Sequence, residues 1–288
     1  MVKKVAVIND LSGLGKCSLT AAIPVLSVMG VQACPIPTAI LTNQTGYDSY
    51  YCDDYTDKID NYTDEWTKRG LILDGIYSGY LGSEAQVEKI LSFCETFRKE
   101  NTLLFVDPVM GDLGNVYDVY TQEFGKQMKK LVLNADVITP NLTECCLLTD
   151  SDYSELISHQ NETNYLEYIK QMAQPLLDAG IGTIIITGII HQSKEDACPK
   201  YYNLILADNN CHTVSSDIHG GSYSGTGDLL ASVVCASMVR GDCAEIAVKR
   251  AVHFLEAALI ETVAENIPRN DGINFEPYLP LLLDYNKH

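Results

Sequence analysis

Apolar runs of strand length recur along this chain, each continuous rather than alternating: KVAVI near residue 5, ACPIPTAIL before 41, DGIYSGYL near 77, TLLFVDPV near 105, ADVITP near 138 and GTIIITG near 186. A strand without polar alternation needs cover on both faces, which is the pattern of a parallel sheet between helices. Stretches of helical spacing lie between the runs. In the clearest, SEAQVEKILSFCETFRKE, Ser83 is placed to cap the start and basic residues close the end. Strand and helix in alternation predict an α/β fold, a three-layer α/β/α sandwich with a mostly parallel, doubly wound sheet. Folds of this kind keep one core at 288 residues, so a single domain over 1–288 is expected.

Two regions depart from the alternation. Residues 46–66, GYDSYYCDDYTDKIDNYTDEW, are rich in Tyr and Asp, hold the only tryptophan, and read as a polar flap or short edge element. Farther on, YYNLILAD and HTVSSDI flank Asn209 and Asn210 and read as a hairpin with an asparagine turn. The final run, FEPYLPLLLDY, reads as a terminal helix or extended segment.

Charge narrows the range of partners. With 38 acidic against 20 basic side chains the net charge is −18, a field that repels nucleic acid and anionic membranes. A local cluster of amides and metal can still hold an anionic nucleotide. The N-terminal MVKKVAVIND has an apolar run too short for a signal peptide or a membrane span, so a cytoplasmic protein is expected. Ten cysteines lack paired CxxC spacing and read as reduced thiols. The Asn-x-Thr sequons at Asn43, Asn61, Asn141 and Asn161 carry no weight in such a setting.

The stretch DLSGLGKCSLT at 10–20 invites a phosphate-loop reading and fails it. Gly15 and Lys16 fit a Walker A loop, but Asp10 replaces its first glycine and Cys17 its hydroxyl residue. Ser18 likewise breaks a dinucleotide fingerprint. Lys16 is read as a solvated loop lysine.

Ligands of open parallel sheets bind at the carboxyl ends of strands, where polar residues end apolar runs. Here TLLFV runs into Asp107 and then Asp112; VIT runs into Asn141 and Glu144; IIIT ends at Thr187. One such carboxylate is as often a cap as a ligand. Several together suit Mg²⁺, a hard cation with oxygen ligands that bridges to substrate phosphates. In SYSGTGDLLASVVCASMV, Gly225, Thr226 and Gly227 precede Asp228 and a long apolar helix. A glycine turn feeding a helix N-terminus aims amides outward and builds an anion site. Asp228 suits an N-cap, or a general base beside a phosphoryl group.

These residues resemble a known family. GTGD before a small-residue helix, with Asn141-Leu-Thr-Glu144 after a strand, is similar to the shared signatures of the ribokinase-like superfamily. DPVMGD at 107–112, ITPN at 138–141, SGYLGS at 78–83 and TNQTGY at 42–47 narrow the resemblance to the pyridoxal (vitamin B6) kinases, over Val5 to about Val252. The resemblance implies ATP-dependent phosphorylation of the 5′-hydroxymethyl group of pyridoxal, pyridoxine or pyridoxamine by a homodimer. Asp228 would be the base, with the amides of Gly225, Thr226 and Gly227 steadying the transferring phosphoryl oxygens. Asp112 and Glu144 would serve Mg²⁺; Asp107, Thr139 and Thr187 match positions that hold a monovalent cation, K⁺ or Na⁺. Asn141, Glu144, Thr187 and Thr226 would serve ATP, and Tyr117 would belong to a flap closing over the phosphates.

The same resemblance puts DLSGLGKCSLT at the vitamin end of the cleft. Asp10 would face the polar edge of the ring, with Cys17, Thr45 and Tyr80 as further contacts. Many pyridoxal kinases have serine at the position of Asp10, and Asp followed by Ser-Gly-x-Gly is closer to the hydroxymethylpyrimidine kinases of thiamin synthesis. That substrate is one alternative; a non-catalytic vitamin-binding module is the other.

Overall fold

The computed structural model describes residues 2–194, 196–207 and 210–283. Its strands are β1 (Lys3–Ser12), β2 (Val31–Leu41), β3 (Cys52–Asp54), β4 (Gly75–Ser78), β5 (Leu103–Val106), β6 (Gly111–Asp112), β7 (Asn115–Val116), β8 (Val137–Ile138), β9 (Thr183–His191), β10 (Lys200–Ala207) and β11 (Asn210–Asp217). Its helices are α1 (Ser18–Val28), α2 (Ile59–Lys68), α3 (Glu84–Phe97), α4 (Gln122–Leu133), α5 (Leu142–Thr149), α6 (Tyr153–Ser158), α7 (Tyr165–Asp178), α8 (Thr226–Val239) and α9 (Ala244–Ala264). By their contacts they separate into two compact units, Met1–Leu104 with His219–His288, and Phe105–Ile218, the division falling inside β5.

In the first unit the strand order is β3-β2-β1-β4. β1 runs parallel to β2 and β4, and β3 pairs antiparallel with the end of β2. Val5, Ala6, Val7 and Ile8 of β1 are fully buried, as a run of apolar residues without alternation demands. Pro35 and Pro37 lie in β2 before the Ala39–Leu41 stretch that β3 covers, where a missing N–H costs no ladder bond on the open side. α1 packs on α8, and α8 on α9. Small side chains on α8 and α9, Ala231, Ala236, Ala247 and Ala251 among them, are buried and allow close helix approach.

α3 begins as its sequence requires: the Ser83 hydroxyl accepts the Gln86 amide, and the helix ends at Phe97. The segment 46–66 divides. Residues 52–54 form the edge strand β3, and residues from Ile59 onward form α2, where Trp66 meets the rings of Phe93 and Phe97 on α3 edge-on. Ile59, Tyr62 and Trp66 are spaced for one helical face, a pattern hidden beneath the polar composition. The terminal run forms a 3₁₀ segment, Glu276–Leu282.

In the second unit the order is β5-β8-β9-β10-β11, with a separate pair β6-β7. β8 is parallel to β5 and β9. β10 is antiparallel to both β9 and β11, so this edge is the expected hairpin extended by one more antiparallel pairing. Asn209, half of the expected asparagine turn, lies outside the described residues.

Candidate active site

The ligand end of β1 is shaped by a bulge. Asn9 stands opposite Pro37 and Leu11 opposite Ile40, so Thr38 and Ala39 of β2 together oppose Asp10. Such a bulge bends the strand and re-aims side chains. Asp10 is buried, and its two carboxyl oxygens accept the hydroxyls of Ser12 and Ser18. Burial outweighs these bonds and raises its pKa. Asn9, fully buried beside it, donates from Nδ2 to Asp228 Oδ1 at 3.2 Å, while its Oδ1 accepts the Tyr80 amide at 2.9 Å.

Asp228 sits in the first turn of α8, which follows Gly225. Gly225 has φ 81°, and a β-carbon there would lie 1.9 Å from the Lys16 carbonyl oxygen, so neither the conformation nor the space admits a side chain. At Gly227 the same construction meets nothing within 4 Å. With Gly227 exposed, the first turn of α8 is thus an open cradle of amides at the positive end of a helix dipole. Burial pushes the partly buried Asp228 up to about 6; the Ser18 amide and the Asn9 side chain pull it down, and nearby Asp10 raises it. A carboxyl poised there is largely ionised at neutral pH yet basic enough to accept a proton.

The first unit brings Asp10, Cys17, Tyr80 and Asp228 together. Cys17 is buried, and burial with the charges of Asp228 and Asp10 pushes its thiol up to about 12, so it is a packing group rather than a nucleophile. Tyr80 is likewise pushed up to about 12 by burial and Asp10. Thr45 is exposed on a turn; its neighbour Gln44 is buried and donates from Nε2 to the Asn270 carbonyl at 3.0 Å. Lys16 departs from the sequence reading. It is not a solvated lysine: its ammonium donates to Asn274 Oδ1 and Glu276 Oε2, each at 2.8 Å. Tyr47 donates to Asp271, and Ser224 to the Arg269 carbonyl. Residues 269–276 therefore pin the loops at 16, 44–47 and 224.

In the second unit Asn141 caps α5 through a reciprocal capping box. Its Oδ1 accepts the Glu144 amide at 3.0 Å, and Glu144 Oε2 accepts the Asn141 amide at 2.9 Å. Glu144 Oε1 accepts the Met110 amide at 3.1 Å, so the buried carboxyl joins the β5–β6 loop to the helix start. Asn141 Nδ2 donates to the Gly111 carbonyl at 2.8 Å. Thr139 donates to Asp107 Oδ1 at 2.9 Å, and Thr187 adjoins Asn141 through a parallel bridge. Burial, then the charges of Asp107 and Asp112, raise Glu144 well above the usual carboxylate range against the pull of its two amides. Asp112 lies in β6 of the β6-β7 hairpin, which exposes Leu113 and Val116, and Tyr117 just after it is 44% exposed. Among the described residues, no three His, Cys, Asp or Glu side chains are clustered to hold a metal alone.

Sequence reasoning missed Asn9, Ser12, Ser18 and the 269–276 segment. Asn9 ends the same apolar strand as Asp10 and could have been suspected; the others have no signal in local pattern.

The model of the phosphomethylpyrimidine kinase family matches residues 17–271. The chain belongs to the phosphomethylpyrimidine kinase family. A family member from Bacteroides thetaiotaomicron, provisionally described as a phosphomethylpyrimidine kinase and solved with pyridoxal, is 37% identical over 98% of this chain and 96% of its own, with a TM-score of 0.89. Pyridoxal kinase from Lactobacillus plantarum is 30% identical over 98% of this chain and 97% of its own, with a TM-score of 0.85. Pyridoxal kinase PdxY of Aliivibrio fischeri is 24% identical over 91% of this chain and 90% of its own. The fold is therefore α/β with a mostly parallel sheet and flanking helices, and family membership makes the chain a kinase.

Proposed function

We propose that the chain transfers the γ-phosphoryl group of ATP to the 5′-hydroxymethyl group of pyridoxal, pyridoxine or pyridoxamine, giving the 5′-phosphate and ADP. The observation that carries this reading is Asp228, held at about 6 directly behind the open amide cradle of Gly225–Gly227. Its carboxylate takes the proton of the substrate hydroxyl as the oxygen attacks the γ-phosphorus in line and the bond to ADP oxygen breaks. The amides of the first turn of α8 receive the charge on the phosphoryl oxygens. Asp10 and Tyr80 line the vitamin end, with Cys17 packed beside them; Thr45 contributes from its turn.

Asn141, Glu144, Thr187 and Tyr117 serve the nucleotide in this reading. Mg²⁺ fits the residues present, because the like charges of Asp107 and Asp112 act on Glu144 and raise it, and a cation beside them relieves that repulsion. With both Glu144 oxygens engaged by amides, Asp112 and Glu144 would serve the ion through water, the phosphates completing its shell. Bound, Mg²⁺ neutralises phosphate charge. The Asp107 carboxylate, with Thr139 and Thr187, offers oxygens for K⁺ or Na⁺. Supported by family likeness, we read the protein as a homodimeric cytoplasmic enzyme with a single kinase domain over 1–288. A charge of −18 disfavours nucleic acid and anionic membranes, and no helix of the described residues is long and apolar enough to cross a membrane.

One observation favours a second substrate: an aspartate, Asp10, buried at the bulged end of β1, read here as facing the ring edge, in a family named for phosphomethylpyrimidine. A coupled ATP-turnover assay with pyridoxal, pyridoxine, pyridoxamine and hydroxymethylpyrimidine, in Mg²⁺ and K⁺, separates the two. Preference for a B6 vitamer is expected. Preference for the pyrimidine reassigns the substrate, and binding of pyridoxal without any transfer makes the chain a binding module.

A further inference from the structure

We infer that Asn9 is a positioning residue for catalysis, its side-chain amide holding the Asp228 carboxylate oriented and ionised for proton removal. The inference rests on the reading of Asp228 as the base.

Asn9 is fully buried, so its amide needs partners throughout. Oδ1 accepts the Asp10 amide at 3.0 Å and the Tyr80 amide at 2.9 Å, and Nδ2 donates to Asp228 Oδ1 at 3.2 Å. These partners fix the side chain. The flipped amide would set N–H groups against two N–H donors and a lone pair against a carboxylate. The chain also leaves room for it: a β-carbon on Gly79 would lie 2.4 Å from Asn9 Nδ2. Gly79 has no left-handed backbone angle, so the Asn9 amide, rather than backbone conformation, requires glycine there.

The surroundings of Asp228 show why a donor is needed. Asp10 faces it with like charge, and the Cys17 thiol lies near both carboxyls. Burial and Asp10 favour the protonated acid; the Ser18 amide and Asn9 oppose them. Ser18 helps through a left-handed backbone, φ 50°, at the first residue of α1, while its hydroxyl serves Asp10. Asn9 is therefore the side-chain donor that ties the base to Tyr80, which lines the vitamin end in the proposed complex.

The test is the pH dependence of kcat/KM for the alcohol, at saturating Mg-ATP, in the full chain and its N9D, G79A and D228N variants. N9D keeps the shape and both acceptor bonds but replaces the donor with a second carboxylate. Its acidic limb should move up by about one pH unit or more, with activity partly recovered by pH 9 and KM for ATP unchanged. G79A displaces the Asn9 amide without altering it and should move the limb the same way; should N9D fail to fold by thermal melting, G79A decides. Limbs that coincide with the parent's, with or without a uniform loss of rate, overturn the role of Asn9. If D228N loses turnover while those limbs stay put, the Asn9 inference alone falls; if D228N keeps turnover, the base assignment beneath it falls.

Discussion

Gly225 and Lys16 touch through backbone alone: a β-carbon on Gly225 would lie 1.9 Å from the Lys16 carbonyl oxygen, at a φ of 81°. The amide cradle of α8 and the loop after β1 are thereby locked at a distance only glycine permits. Gly227, two residues on, faces open space. The two glycines therefore predict different failures. Gly225→Ala should lose about 2 kcal/mol or more of stability together with turnover. Gly227→Ala should melt like the parent yet lose roughly 10²-fold in kcat, its methyl crowding the phosphoryl position. Thermal melts beside steady-state kinetics check both; a G227A variant with full turnover would remove the cradle from the mechanism.

Asp228→Asn should lower kcat by about 10² to 10⁴ while ATP binding survives. The same variant carries a stability signature. The folded pKa of Asp228, about 6, is raised above the ordinary 3.8, so this group favours folding in its protonated form, and that stability is lost as pH rises toward and through 6. D228N escapes the loss. Chemical denaturation should show it more stable than the parent by on the order of 1 kcal/mol at pH 8, discounted for partial exposure, with the gap closing below about pH 4. A gap independent of pH would mean the carboxyl is not perturbed.

Lys16→Ala tests the pin on the 269–276 segment. Lys16 bonds Asn274 and the half-exposed Glu276, and such partly screened contacts are worth about 0.5–1 kcal/mol. The melting temperature should fall by about 2–4 °C. ATP affinity should hold, and its collapse would restore a phosphate-loop role for the stretch around Lys16.

Glu144→Ala removes the acceptor of the Met110 and Asn141 amides. One buried and one part-buried donor left without partners should cost about 1–3 kcal/mol. The Mg²⁺ concentration for half-maximal turnover should rise as well. Lost stability with an unchanged Mg²⁺ requirement would make Glu144 a cap only.

Much of the fold was legible because it is written locally. The buried run Val5–Ile8, the Ser83 cap and the Asn141–Glu144 capping box each need only a few neighbouring residues, and hydrophobic period and cap chemistry report them directly. The glycine turn before Asp228 was legible for the same reason. α2 was not, because a stripe of Ile59, Tyr62 and Trp66 is diluted by acidic residues and gains meaning only when Phe93 and Phe97 meet it.

By itself, then, the sequence determined the alternation of elements, the cradle and the candidate base, all carried by short-range backbone and pattern rules. Tertiary structure decided what surrounds that base. Asn9 reaches Asp228 across a separation of 219 residues, and Lys16 reaches Asn274 across 258. No periodicity reports such pairs, because their hydrogen bonds form only after the sheet and helices have packed, and it is burial in that packed interior that lifts an ordinary aspartate to about 6.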